Sequence, residues 1–234
     1  MLSFMAALSA GLAGAIAQSS QRSDASIKID KSLEAMKSVT SKPYSFDQQG
    51  TLVGRTEMDL ETWNGRAKQL SDDVVRARPS AIDARALDDI ANQLNDPIAW
   101  DPNILDHALA RIGSRAIEKL AQMIRASSDS LVRYHLSEHL ASVVADARNA
   151  DIDDHAIDEI AALLDHSDGT VRVMGAAQAL GEIGPRARKT LPALEKELEI
   201  VRQQEGGLRF GRTGVDIVGI AISKIKGEPI HLPY

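Results

Sequence analysis

A two-part signature recurs along this chain, and no other feature constrains the fold as much. Asp129-Ser-Leu-Val132-Arg133 reappears as Asp168-Gly-Thr-Val171-Arg172, an offset of 39 residues. Ala108-Leu-Ala-Arg-Ile-Gly-Ser-Arg-Ala116 aligns without a gap with Ala179-Leu-Gly-Glu-Ile-Gly-Pro-Arg-Ala187, both reading A-L-x-x-I-G-x-R-A. Self-similarity at such a period marks a helical solenoid, in which each repeat is one helix pair that buries its apolar face only by stacking on its neighbours.

Each part of the signature has a physical reason. Ile112-Gly113 and Ile183-Gly184 end a helix, because glycine is free to take the left-handed conformation that closes one. Pro185 follows, where proline starts a new helix well. Asp129 and Asp168 stand just before apolar-periodic runs, where a carboxylate caps the orphan amides and meets the positive helix end. The small residues Gly175-Ala176-Ala177-Gln178-Ala179 let two backbones approach closely. Aromatic residues are only 3% of the chain, so Ala, Leu, Ile and Val fill the core, a composition that suits closely packed helices.

The stretch from Leu163 to Leu194 carries two leucines, an acidic turn, Val171-Arg172, an alanine pair, Ala179-Leu-Gly-x-Ile183-Gly184 and Leu191-Pro-x-Leu194. In these features it resembles the HEAT-like (PBS-lyase-type) repeat family. His166 stands where the family often has an Asp, and Asp146 to Asp154 interrupts the middle repeat as an insertion. The resemblance covers about Ala81 to Gly227. It implies an all-α fold, a short right-handed α-solenoid of about four antiparallel helix pairs. It also implies a structural ladder between successive turns built from Asp129, Arg133, Asp168 and Arg172. The pairs read as Ala84–Leu94 with Asn103–Ile112, Ser114–Arg125 with Ser130–Val144, His155–Leu164 with Gly169–Ile183, and Ala187–Gln203 with Thr213–Lys226.

Upstream, the order expected is a signal peptide over 1–17, a linker of low order over 18–54 and a helix within 55–79. The repeat domain over 80–227 and a tail over 228–234 follow. Met1 to Ala17 is uncharged, rich in Ala, Leu and Gly, and ends Ala15-Ile16-Ala17 before a polar run, although no Lys or Arg precedes its apolar core. That pattern reads as a secretory signal peptide and places the protein in the periplasm or outside the cell, with the cytoplasm as the alternative. It is too short for a comfortable membrane span, so no stable membrane insertion is expected once it is cleaved. Residues 18–54 are rich in Ser, Gln, Lys and Thr, with at most a helical turn or two over Ser32 to Ser38. From Thr56 to Arg78 an apolar stripe of Met58, Leu60, Trp63, Ala67, Leu70 and Val74 reads as a helix that caps the stack, with Trp63 packed inside.

Charge and composition narrow the function. Net charge is −6, with 17 Asp and Glu against 7 Lys and Arg from Ala81 to Thr170, and 7 against 4 in the basic direction from Pro185 to Arg212. An acidic body with a basic stretch suits contact with a protein or peptide and argues against nucleic acid. There is no cysteine, which removes disulfides, thiolate metal sites and cysteine nucleophiles. No cofactor is implied, and the sequence leaves the oligomeric state open.

Four features invite sharper readings. His135-Leu-Ser-Glu138-His139 fits H-x-x-E-H, in which two imidazoles one helical turn apart hold zinc and the glutamate acts as general base. A surface or groove-facing pair of histidines is the expected outcome, because Leu136 and Leu140 must pack. Gly206-Gly-Leu-Arg209-Phe-Gly211-Arg212-Thr213 nearly fits a phosphate loop, but Arg replaces the required Lys and a helix precedes it in place of a strand. Its Arg209 and Arg212 are candidate contacts for an anionic partner. Trp100, in a proline-bounded loop, is a candidate hot spot or a plug over the core. Asp151 to Asp154 is read as helix capping rather than a calcium loop.

The expected function is a non-enzymatic scaffold for protein–protein binding. The alternatives are a HEAT-like enzyme or enzyme subunit of the bilin-lyase kind, an alkylpurine DNA glycosylase, or a zinc metallopeptidase through His135, Glu138 and His139. A glycosylase needs a basic, aromatic-lined groove that this acidic, aromatic-poor chain does not offer.

Overall fold

Apolar residues three and four apart recur along this chain, and in the structure, a computed structural model, the described residues are helical almost throughout. It describes residues 24–38, 45–46, 52–53, 57–95, 103–203 and 211–230. Two units divide at Asp89 and Ile90.

The first unit contains helix α1 over residues 24–38, a two-stranded antiparallel pair of β1 (Ser45–Phe46) and β2 (Leu52–Val53), helix α2 (Glu57–Arg76) and the start of α3 (Ala84–Asn92). Ser45 pairs with Val53 and Phe46 with Leu52. The linker of low order expected over 18–54 is therefore corrected: 24–38 is a helix. Ile29, Leu33 and Met36 recur at helical spacing and are all buried, a stripe too sparse to stand out among the Ser, Lys and Asp around it. Ser32 Oγ donates to Asp73 on α2 at 2.8 Å, and Arg66 of α2 donates to the Ala35 carbonyl. On α2 itself Trp63, Ala67, Leu70 and Val74 are buried, as the stripe predicts. The side chains of Met58 and Leu60 lie outside the described residues.

The second unit holds α4 (Asn103–Ile112), α5 (Ser114–Ala126), α6 (Ser130–Asp146), α7 (Asp154–Ala161), α8 (Gln178–Ile183), α9 (Leu191–Gln203) and α10 (Gly211–Lys226). A 3-10 turn, Ala162–Asp165, prolongs α7, and Val171–Ala177 runs into α8 as a π-helix. A second 3-10 segment, Gly184–Thr190, leads into α9. Packing follows one rule. The larger contacts join helices close in succession: α4 meets α5 and α6, α5 meets α6 and α7, α6 meets the π segment and α8, and α10 meets both α8 and α9. Ile117, Leu120, Ile124, Leu136, Leu140, Ile160, Leu163 and Leu180 fill the interior this creates.

The two signature glycines end their helices, but not in the left-handed helical conformation expected of them. Gly113 has φ 74° and ψ −140°, and Gly184 has φ 69° and ψ −138°. That region is open essentially to glycine alone. It turns the chain from α4 into α5 in one residue, with Gly113 as the N-cap of α5. A Cβ on Gly113 would lie 2.6 Å from the Asp151 carbonyl oxygen. The π-helix has a close approach of its own: a Cβ on Gly175 would lie 3.1 Å from Ser137 Oγ of α6.

Candidate functional site

The acid–base signature of the repeat assembles into interhelical rungs. Asp129 is the N-cap of α6, its Oδ1 accepting from the backbone amides of Leu131 at 2.8 Å and Val132 at 3.3 Å. One turn on, Arg133 reaches across to Asp168: Nε and Nη2 meet Oδ2 at 2.9 and 2.8 Å. Its Nη1 donates to the Ser127 carbonyl at 3.1 Å. Asp168 Oδ1 accepts from the Thr170 amide at 3.0 Å, and the Asp168 amide donates to His166 Nδ1 at 3.0 Å. Burial alone would raise the Asp168 pKa. The hydrogen bonds from Arg133 and Thr170 and the Arg133 charge outweigh it and hold the carboxyl below its ordinary value.

Arg172 occupies the equivalent position one repeat later, but its acid is not an Asp of the following turn. Its Nε donates at 2.8 Å to Glu197 Oε2 on α9, and its Nη1 to the carbonyls of His166 and Ser167 at 2.8 and 3.1 Å. Glu197 is 3% exposed, and its Oε1 is buried without a hydrogen-bond partner. It was not foreseen from the sequence because it is one of three glutamates alternating along α9 and lies 25 residues from Arg172. The space beside it is a recess of about 260 Å³, lined in part by Leu164, Asp165, His166, Arg172, Lys196 and Glu197.

His139 corrects the expectation of two surface or groove-facing imidazoles. His139 is 4% exposed, with Nδ1 2.8 Å from Oδ1 of Asp106, itself 1% exposed on α4. The H-x-x-E-H spacing puts His139 on the apolar side of α6, because Leu136 and Leu140 flank it and set that face inward. His135 is half-buried, and burial pushes its imidazole below the ordinary value, the nearby Glu138 opposing and His139 reinforcing the shift. Glu138 is shared: its Oε2 lies 3.7 Å from His135 Nδ1, and its Oε1 accepts from the Tyr134 hydroxyl at 2.7 Å, a bond that, with burial and the carboxylate charge, raises the Tyr134 pKa. Among the described residues no group of three or more His, Asp or Glu side chains is arranged to hold a metal ion.

The acidic cluster before α7 caps it as expected, Asp153 accepting from the Ala156 amide at 2.9 Å. Asp154 is bridged by Arg186 at 3.1 Å from the next repeat. A shallow groove between α8 and α10, lined by Gln178, Gly181, Ile217, Ile220 and Lys224, forms a second recess of about 270 Å³. Trp100 and Arg209 lie outside the described residues, as does the side chain of Arg212, and so does the segment 1–17. No helix among the described residues is long and apolar enough to cross a membrane.

No family model matches the chain, and no curated protein matches it. A solved structure described as that of an engineered protein is similar at 19% identity, over 71% of this chain and 74% of that one, with a TM-score of 0.38. Similarity at that level is too distant to bear on fold or function.

Proposed function

We propose that this chain is a non-enzymatic HEAT-like scaffold, a short α-solenoid that binds a protein or peptide partner. The observation that carries this is the neighbour rule of the second unit combined with its rungs. Among the described residues α5 packs on α6 and α9 on α10, the larger contacts between these pairs join successive ones, and Arg133 joins Asp168 across one period of the sequence repeat. Stacked hairpins expose long faces relative to their core, and such faces are the usual partner sites of repeat proteins. The groove between α8 and α10, with half-buried Ile217 and Ile220 on its wall, is where an apolar partner side chain is read to dock. The reading of α2 as the cap of the stack, and of 1–17 as an export signal, belongs to the same proposal.

The test is affinity capture with the chain as bait, wild type beside Ile217→Asp and Ile220→Asp. A partner bound reproducibly by wild type and lost with variants of unchanged melting temperature supports the reading. Absence of any reproducible partner, or capture indifferent to both variants, counts against it. N-terminal sequencing of exported protein tests the signal peptide: a start at Gln18 is expected, and retention of Met1 in a cytosolic fraction would remove it.

A further inference from the structure

The end of α10 turns the chain back on the helix. The Gly227 amide donates to the Lys224 carbonyl at 3.2 Å and the Glu228 amide to the Ser223 carbonyl at 2.9 Å, with Gly227 at φ 74°. This is a Schellman closure, in which the second residue past the helix reaches back to its last turn. Beyond it the sequence runs Pro229-Ile-His-Leu-Pro-Tyr234, with no Asp, Glu, Lys or Arg. Residues two apart share a side of an extended segment, so Ile230, Leu232 and Tyr234 make one apolar side. Ile230 is 50% exposed and does not line the groove between α8 and α10. Residues 231–234 lie outside the described residues.

We propose that Pro229–Tyr234 is a strap that folds back along α10 and lays its apolar side in the α8–α10 groove. Its length suffices, because six extended residues span about 20 Å. At about 1.5 Å of rise per residue, Ile220 and Ile217 stand only about 9 and 14 Å from the end of α10. The groove also matches the strap in charge. Among the described residues that line it only Glu182 and Lys224 are ionic, and they pair with each other at 2.7 Å. An uncharged segment leaves that bridge intact, whereas a charged one competes for it. Gly181 and Ala221 meet closely along the groove, a Cβ on Gly181 lying 2.8 Å from Ala221 Cα, so no side chain longer than a methyl rises there to fill the space. Pro229 and Pro233 fix φ and favour an extended backbone, which lowers the entropy lost on docking. This inference rests on the reading of the groove as the scaffold's binding site and adds its regulation: the docked strap covers Ile217 and Ile220, and a partner displaces it.

The test is methyl NMR of the full chain, following Ile217 and Ile220 with the buried Ile117 of α5 as reference. Leu232→Asp, which puts a carboxylate on the apolar side of the strap, is expected to shift both groove methyls and leave Ile117 unmoved. A nitroxide attached through Tyr234→Cys is unique, because the chain has no cysteine. It is expected to erase most of the Ile217 and Ile220 signal, and far less of it when Leu232→Asp is also present. Groove methyls indifferent to Leu232→Asp in both measurements overturn the proposal. So does a response that disappears on dilution, which makes a second copy the occupant. A strap that docks while no partner is captured removes the scaffold reading alone. A partner captured through Ile217 and Ile220 by a chain whose strap does not dock removes the strap alone.

Discussion

Arg133 and Arg172 hold equivalent places in the repeat and end on different acids, which shows how far a residue's role follows from its local motif. Capping by Asp129 is legible in the sequence, because it depends on short spacing alone, and the reach of Arg133 to Asp168 is what the HEAT-like resemblance implies. Glu197 is not legible, because its selection from the glutamates of α9 depends on which face turns inward. The buried Asp106–His139 pair is invisible for the same reason: a polar residue on an apolar face looks like a surface residue until its partner helix is in place. Removing one member strands the other in the core, so His139→Ala is expected to cost about 3 to 5 kcal/mol in urea denaturation. A loss below about 1 kcal/mol would mean that the site opens to water. Asp168 carries a pH prediction. Its carboxyl titrates lower in the fold than in the unfolded chain, so its ionised form stabilises the protein at neutral pH. That contribution fades as pH falls from about 4, the ordinary Asp value, through the lower folded one. Asp168→Asn is therefore expected to be less stable than wild type at neutral pH and to converge on it in acid. A stability gap that does not change with pH would contradict this.

At the scale of elements, the helices of the repeat region were readable from apolar periodicity, and their ends from Gly and Asp. Asn103–Ile112 is as read, and Ser114–Ala126 and Ser130–Asp146 extend the expected ranges by one or two residues. What periodicity could not convey is the kind of helix. The π-helix of Val171–Ala177 lies where Gly175 meets Ser137, a contact between helices 38 positions apart in sequence. The segment expected to begin α9 near Ala187 is instead a 3-10 run over Gly184–Thr190. Glycine at 181 is set by packing. A Cβ there would lie 2.8 Å from Cα of Ala221, so α8 and α10 must separate to admit it. Gly181→Ala is expected to destabilise by about 1 to 3 kcal/mol despite its better helix propensity. A stabilised variant in thermal melting would show that the two helices do not approach this closely.

For the whole molecule, the proposal is that the second unit is a chain of nearest neighbours. Stability in such an array is a sum of helix-pair terms and interface terms, so a pair with a neighbour on one side only is the less protected. The α9–α10 pair has the α7–α8 pair on one side, whereas α5–α6 and α7–α8 lie within the succession of contacts. The net charge of −6 and its uneven spread set how such a surface meets a partner, not how it folds. Hydrogen exchange of the full chain, read segment by segment under native conditions, addresses the stacked-hairpin reading most directly. Protection is expected to be highest in α5, α6 and the 169–183 helix and to fall stepwise to α9 and then α10. Equal protection of α10 and α6, lost together in one cooperative opening, would contradict a repeat stack and indicate a single globular core.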